Sequence, residues 1–318
     1  MTERSEQIDA VCHRLKTHYV FPEVADQLAD FLRLRLAGGA YDGLADEPFA
    51  AIVTEDLQSV NGDKHLRLRF HVDPVHDGES TSFDPAAYRV EAELSGYGIA
   101  RAERLPGNVG YLDTTMFYGP EVAGDAFTAA MTLLAGTDAL LIDVRRNRGG
   151  SPGTVALICS YLLDERTHLN DIYFRDGDRT EQIWTLPYVP GRKFGTGKPV
   201  WVLTGPDTFS GAEDLSYTLQ QLQRAQTVGE RTKGGAHPRE QYKVAAHLDV
   251  TVALARSINP YSNGNWEGDG VRPDIPVPAA DAFDHAYQRA LEHVLTLGDI
   301  GLRRPVADEA RLASSTLA

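Results

Sequence analysis

A serine stands alone between a bulky Phe and a Gly in GPDTFSGAEDL, residues 205–215. The apolar run PVWVLTG (199–205) climbs to it and a helical pattern follows. A hydroxyl at such a junction lies beside backbone N–H groups that no helical turn engages, at the positive end of a helix dipole. That setting suits a nucleophile whose attack creates an oxyanion. It suits a helix N-cap equally well. Gly211, next to Ser210, lets another chain approach a backbone N–H closely. A second loop, DVRRNRGGSPG (143–153), places Gly149 and Gly150 after a buried apolar run, where an open α/β sheet binds its ligands. Its N–H groups are candidates for an oxyanion hole, or for an ordinary tight turn. It lacks the GxxxxGK[ST] spacing of a phosphate loop. His65 precedes an alternating strand pattern in NGDKHLRLRF, and Glu267 and Asp269 share the glycine-punctuated loop NWEGDGVRPD. A histidine there can be a base or a solvated side chain, and acids in such turns commonly serve the turn itself.

The elements that must position these residues form a recognisable series. Three amphipathic patterns, IDAVCHRL, VADQLADFLRLRL and PFAAIVTEDLQSV, predict a small helical N-terminal region. HLRLRFHV predicts a half-buried strand. Residues 73–90 are polar and read as a loop, and GYGIARAERLPGNVGYLDTTMF reads as two strands around a Pro-Gly turn. From about residue 120 helices and strands alternate. DALLIDVR and PVWVLTG are continuous apolar runs, the mark of strands buried on both faces. This predicts an α/β core with parallel pairing. AADAFDHAYQRALEHVLTL predicts a C-terminal helix, and the tail beyond about 302 lacks clear periodicity.

Composition narrows the function. The 318 residues are 42% hydrophobic and 24% charged, with a net charge of −14 and no long basic run, which argues against nucleic acid as a partner. Cys12 and Cys159 sit in apolar helical patterns and are expected as buried thiols. No metal-ligand spacing such as CxxC or HExxH occurs. The N-terminus is charged and lacks the apolar segment of a signal peptide, no apolar run reaches membrane-span length, and a cytoplasmic location is expected.

GNVGYLD, LLIDVRRNRGG, TFSGAEDL, VGERTKGGA and WEGDGVRPDI follow one another in order. Together they resemble the tail-specific (C-terminal-processing) serine peptidase family, which includes the tricorn-type proteases and the repeats of interphotoreceptor retinoid-binding protein. The resemblance runs from roughly residue 10 to 297. It implies an α/β fold with a ClpP/crotonase-type ββα superhelix core and a small helical N-terminal domain. The expected layout is a helical domain over 1–72, connecting strands and loop over 73–107, the peptidase core over 108–300, and a loosely ordered tail over 301–318. About forty residues separate the GDKH strand from GNVGYLD, too few for the PDZ domain usual in the processing proteases.

Carried over residue by residue, the resemblance puts the nucleophile at Ser210. It puts oxyanion donors at the N–H of Gly211 and in the Gly149–Gly150 loop. The processing proteases keep a catalytic lysine in a T-x-G-K-G motif, where this chain reads TKGGA: Gly235 occupies the lysine position and Lys233 lies two residues earlier. The tricorn-like branch uses an N-terminal histidine and a glutamate shortly before G-V-x-P-D, the places of His65 and Glu267. The expected enzyme is a serine endopeptidase acting on a peptide or protein through a Ser210–His65–Glu267 triad, with no metal or organic cofactor. His237 and Lys233 are competing bases, and Asp269 competes with Glu267. Two other readings share the fold: a non-catalytic binder of an apolar ligand, retinoid or fatty-acid-like, and an acyl-CoA enzyme of the crotonase type.

Overall fold

A computed structural model of the chain describes residues 3–75 and 84–317. Helices α1 (Glu3–His18), α2 (Pro22–Ala37) and α3 (Asp46–Gln58) form where the apolar spacing predicts them, and β1 (Arg67–Phe70) follows. Then come α4 (Pro85–Leu94), β2 (Ile99–Leu105), β3 (Val109–Thr114), α5 (Pro120–Leu134), β4 (Ala139–Asp143) and α6 (Pro152–Leu162). A hairpin of β5 (His168–Phe174) and β6 (Arg179–Trp184) precedes β7 (Val200–Thr204), α7 (Gly211–Gln221) and β8 (Gln226–Gly229). The chain ends with β9 (Arg239–Ala245), β10 (Leu248–Ala253), β11 (Ala255–Ile258), β12 (Ile275–Pro276), α8 (Ala282–Thr296) and α9 (Arg304–Leu317).

The chain divides into two compact units. The first comprises Met1–Pro85, Asp171–Glu181 and Gly235–Ile258. Its helices bury Ile8, Val11, Leu15, Leu28, Leu32, Phe49, Val53 and Leu57 in one core with Leu66, Leu68, Leu248, Val250 and Val252. Strand β1 pairs antiparallel with β10, Leu68 opposite Val250, and β10 pairs with β9. The sequence layout ended this domain at residue 72. In the structure β1 is only four residues long, and its partners come from far down the chain. Every residue of β10 is buried, so it belongs to this core.

The second unit comprises Ala86–Asn170, Gln182–Gly234 and Asn259–Ala318. Its sheet has the order β12-β8-β7-β4-β3-β2. Strands β3, β4, β7, β8 and β12 run parallel, and β2 returns antiparallel on β3 around the Pro106–Gly107 turn. Strands β3, β4 and β7 are buried at every position, as their continuous apolar runs predict. The alternation of side chains feeds two cores. Leu112, Leu140, Ile142, Val200 and Val202 pack with Phe127, Met131, Ile158, Leu215 and Leu219 of α5, α6 and α7. Tyr111, Leu141, Trp201 and Leu203 pack with Ala286, Leu291 and Val294 of α8.

Three stretches depart from the sequence reading. The tail expected to be loosely ordered forms α9, whose Ala307 and Ala310 are buried and whose Val306, Ala313 and Leu317 pack against the α8 core. Glu309 anchors it, accepting from Arg104 Nη2 at 2.7 Å and Gly107 N–H at 2.9 Å. Of the 73–90 stretch expected as a loop, residues 85–90 begin helix α4, and 76–83 lie outside the described residues. The β5–β6 hairpin has no counterpart in the sequence reading. Cys12 and Cys159 are buried free thiols, and burial pushes both above the usual thiol range.

Candidate active site

Strands β4 and β7 are parallel neighbours, so the loops at their carboxyl ends, 144–151 and 205–210, lie side by side. The approach is close. A Cβ on Gly149 would stand 2.7 Å from Phe209 O and from Ser210 Cβ. A Cβ on Gly211 would stand 2.7 Å from Gly150 O, and one on Gly150 would stand 2.1 Å from Phe117 O. Gly149 and Gly150 take φ of +100° and +128°, which L side chains rarely adopt. Asn147 braces both loops: its carbonyl accepts from Phe209 N–H at 3.1 Å and its side-chain amide donates to Thr114 Oγ1 at 2.9 Å. Arg145 holds the loop's start to Asp143 and to Ala279 O.

Ser210 is the N-cap of α7, with φ +53° and ψ −119°. This is a conformation that favours glycine, and a serine held there stores strain of about 1–3 kcal/mol. What holds it is Glu213. The buried Glu213 carboxylate accepts from Ser210 N–H at 2.8 Å and Gly234 N–H at 2.7 Å, and from the Thr232 hydroxyl. The S-x-x-E spacing of a capping box is plain in the sequence, yet Glu213 was not among the residues singled out there.

The expected donors separate. Gly149 N–H donates to Asn147 Oδ1 at 2.8 Å, which takes it out of the oxyanion set. Among the described residues the N–H groups of Gly150 and Gly211 meet no acceptor, and they flank the point where the two loops touch.

Thr232 also joins the loop after β8 to the loop before β12, since its hydroxyl accepts from Val271 N–H at 2.6 Å. Gly234 and Gly270 let these loops close on one another: a Cβ on Gly270 would stand 2.2 Å from Thr232 O. Glu267 is half-buried in this second loop, with its N–H donating to Asn265 Oδ1 at 2.9 Å and buried Trp266 beside it. Asp269 faces solvent near Arg231 and Arg272, at 3.8 and 3.9 Å. Lys233 is exposed, its Nζ 5.5 Å from the Phe209 ring centroid.

The N-terminal unit carries the two histidines. His65 and His237 are each 4% exposed, and Asp63 is fully buried beside them. Asp63 Oδ1 accepts from His65 N–H at 2.9 Å, and Oδ2 contacts His237 Nδ1 at 3.0 Å and accepts from the Tyr19 hydroxyl at 2.9 Å. Burial pushes His65 down to about 4, against the opposing pull of Asp63. Burial would raise the Asp63 carboxyl, but the hydrogen bond and charge of His237, with His65, hold it below its ordinary value. Asp63 too was unremarked in the sequence, although an acid two residues before a histidine is an Asx-turn signal.

Residues 108–277 match the model of peptidase family S41. The chain belongs to that family. The five ordered motifs therefore identified the family correctly. The carboxyl-terminal-processing protease of Synechocystis sp. (strain ATCC 27184 / PCC 6803 / Kazusa) is 27% identical over 262 residues, 80% of this chain and 58% of that one. The carboxy-terminal processing protease CtpB of Bacillus subtilis (strain 168) is 26% identical over 189 residues, 58% of this chain and 37% of that one. The chain thus spans less than two thirds of the length of either relative. A solved structure from Parabacteroides merdae ATCC 43184 superimposes with a TM-score of 0.64 at 19% identity, covering 95% of this chain and 100% of that one. That likeness places the α/β fold among known ones.

Proposed function

We propose that the chain is a serine endopeptidase that cuts peptide bonds through an acyl-enzyme. Ser210 is the nucleophile, His65 its base, and Glu267 the group that steadies the imidazolium. The N–H groups of Gly150 and Gly211 hold the oxyanion. The observation that carries this reading is the conformation of Ser210, fixed at positive φ by Glu213 at the head of α7, with those two N–H groups at its side. A capping serine needs no such strain; a serine that must present its hydroxyl does.

In the proposed sequence the Ser210 hydroxyl gives its proton to neutral His65 as its oxygen attacks the substrate carbonyl. The two N–H groups and the α7 dipole stabilise the tetrahedral oxyanion. The imidazolium then protonates the departing amine, leaving an ester on Ser210. Water, deprotonated by His65, releases the acid and restores the serine. The proposed site stands at the carboxyl end of the parallel strands. An apolar cavity of about 550 Å3 lies at the opposite end, lined by Leu105, Pro106, Tyr287, Leu312 and Ala313.

Labelling with a fluorophosphonate probe tests the reading. Wild type should label, and Ser210→Ala should abolish labelling and casein hydrolysis while the protein still melts cooperatively. A wild type that neither labels nor cuts refutes the peptidase assignment.

A further inference from the structure

We propose that Asp63 and His237 act as a positioning pair for His65, with the Asp63 carboxylate as their shared anchor. The role rests on His65 being the base of the peptidase reading. Three donors converge on Asp63, and they come from separate parts of the N-terminal unit: the Tyr19 hydroxyl after α1, the His65 N–H before β1, and the His237 ring before β9. Tyr19 is itself fixed by Asn61 Nδ2 at 2.6 Å. A fully buried carboxylate is costly to keep unless its lone pairs are satisfied, and a turn before a strand can be closed by a neutral Asn or Ser. The anion therefore calls for a reason beyond the turn.

Its neighbours supply one. His237 offers Nδ1 to the carboxylate at 3.0 Å, which sets the tautomer protonated on Nδ1 and fixes the ring. Phe21 holds that ring edge-on, at a centroid distance of 5.3 Å. His65 Nδ1 lies 3.8 Å from the other carboxylate oxygen, beyond a hydrogen bond but close enough to feel its charge. Arg67 and Arg239 face His65 as well and oppose an imidazolium, as does His237 when charged. Asp63 pulls the other way and favours the proton on His65.

Three variants separate positioning from a merely structural role. Asp63→Asn removes the charge and keeps the shape. His237→Asn keeps an N–H donor near the Nδ1 position, and His237→Leu removes it. The readouts are the rate of Ser210 labelling against pH and the His65 ring titration by NMR. Folded Asp63→Asn should label about a hundredfold more slowly, the scale of a small misplacement at a reacting group. Its His65 should titrate lower than in wild type, because the carboxylate that favours the imidazolium is gone. His237→Asn should retain most of the wild-type rate while His237→Leu falls with Asp63→Asn. If Asp63→Asn fails to fold, the two His237 variants carry the test. A wild-type rate in Asp63→Asn or His237→Leu overturns the pair. Equal inactivity of His237→Asn and His237→Leu also overturns it, and makes His237 the base. A wild type that never labels refutes the peptidase reading itself, and the positioning role with it.

Discussion

Ser210 caps a helix and presents a hydroxyl with the same strained backbone, and Glu213 is the side chain that makes the two compatible. Glu213→Gln would turn an amide donor toward groups that are themselves donors. It should lower the urea midpoint by an amount equivalent to about 1–3 kcal/mol, the cost of unsatisfied buried groups, and slow Ser210 labelling. Gly150→Ala would force a Cβ into Phe117 O and should abolish labelling; a normally labelled variant would show that the two loops do not need their observed approach. Burial pushes His65 down to about 4, which leaves it neutral and able to accept a proton above that value. Labelling should hold its rate from pH 8 to about 5 and fall as pH drops through about 4. A midpoint near 6.5 would assign the base to a solvated histidine instead. The candidates Ser210, Gly211, Gly150, His65 and Glu267 could be picked out from the sequence because they stand in short motifs with glycine punctuation. Asp63 and Glu213 were not read, because each looks like local turn or cap chemistry until its distant partners are seen. Gly149 was read as a donor because no sequence pattern reveals that Asn147 bends back to take its N–H.

Elements with large apolar residues announced themselves, and those without did not. Strands β3, β4 and β7 and helices α1 to α3 follow from Leu, Ile, Val and Phe at strand or helix spacing. Helix α9 escaped because its buried face is mostly alanine, while its larger Leu312 is 70% exposed. Ending the chain after Arg303 should uncover the α8 core and lower the melting temperature, on the order of 5 °C for a loss of one or two kcal/mol. An unchanged melt would mean that α9 merely rests on the surface. Helix α7 carries a second feature, buried Asp214, which burial pushes up to about 6 despite hydrogen bonds from Thr218 and Asn170. Its folded value lies above its unfolded one, so its contribution to stability is present below about 3.8 and is lost as pH rises through about 6. Asp214→Asn should therefore gain melting temperature relative to wild type between pH 5 and 8. His65 works in the opposite sense: its folded value is depressed, so its contribution is present above about 6.5 and is lost as pH falls through about 4. An Asp214→Asn curve parallel to wild type across pH 5–8 would show that this carboxyl does not titrate there.

For the molecule as a whole, the sequence announced the α/β class and the family but not the way the chain is shared between two units. Hydrophobic patterning speaks for neighbours along the chain, and it is silent about strands that return from far away. Residues 3–75 expressed alone should not melt cooperatively, because β1 would lack β10 and the helices would lack Leu248, Val250 and Val252. A sharp thermal transition in that fragment would contradict the shared core. The same arrangement has a consequence during synthesis. The apolar faces of α1, α2 and α3 leave the ribosome early, yet the strand that covers them is complete only at Ala253. At about 5–20 residues per second, the stretch from residue 85 to residue 253 takes on the order of ten to thirty seconds to translate. For that interval the nascent helices expose a half-built core, the kind of transient apolar surface that chaperones shield.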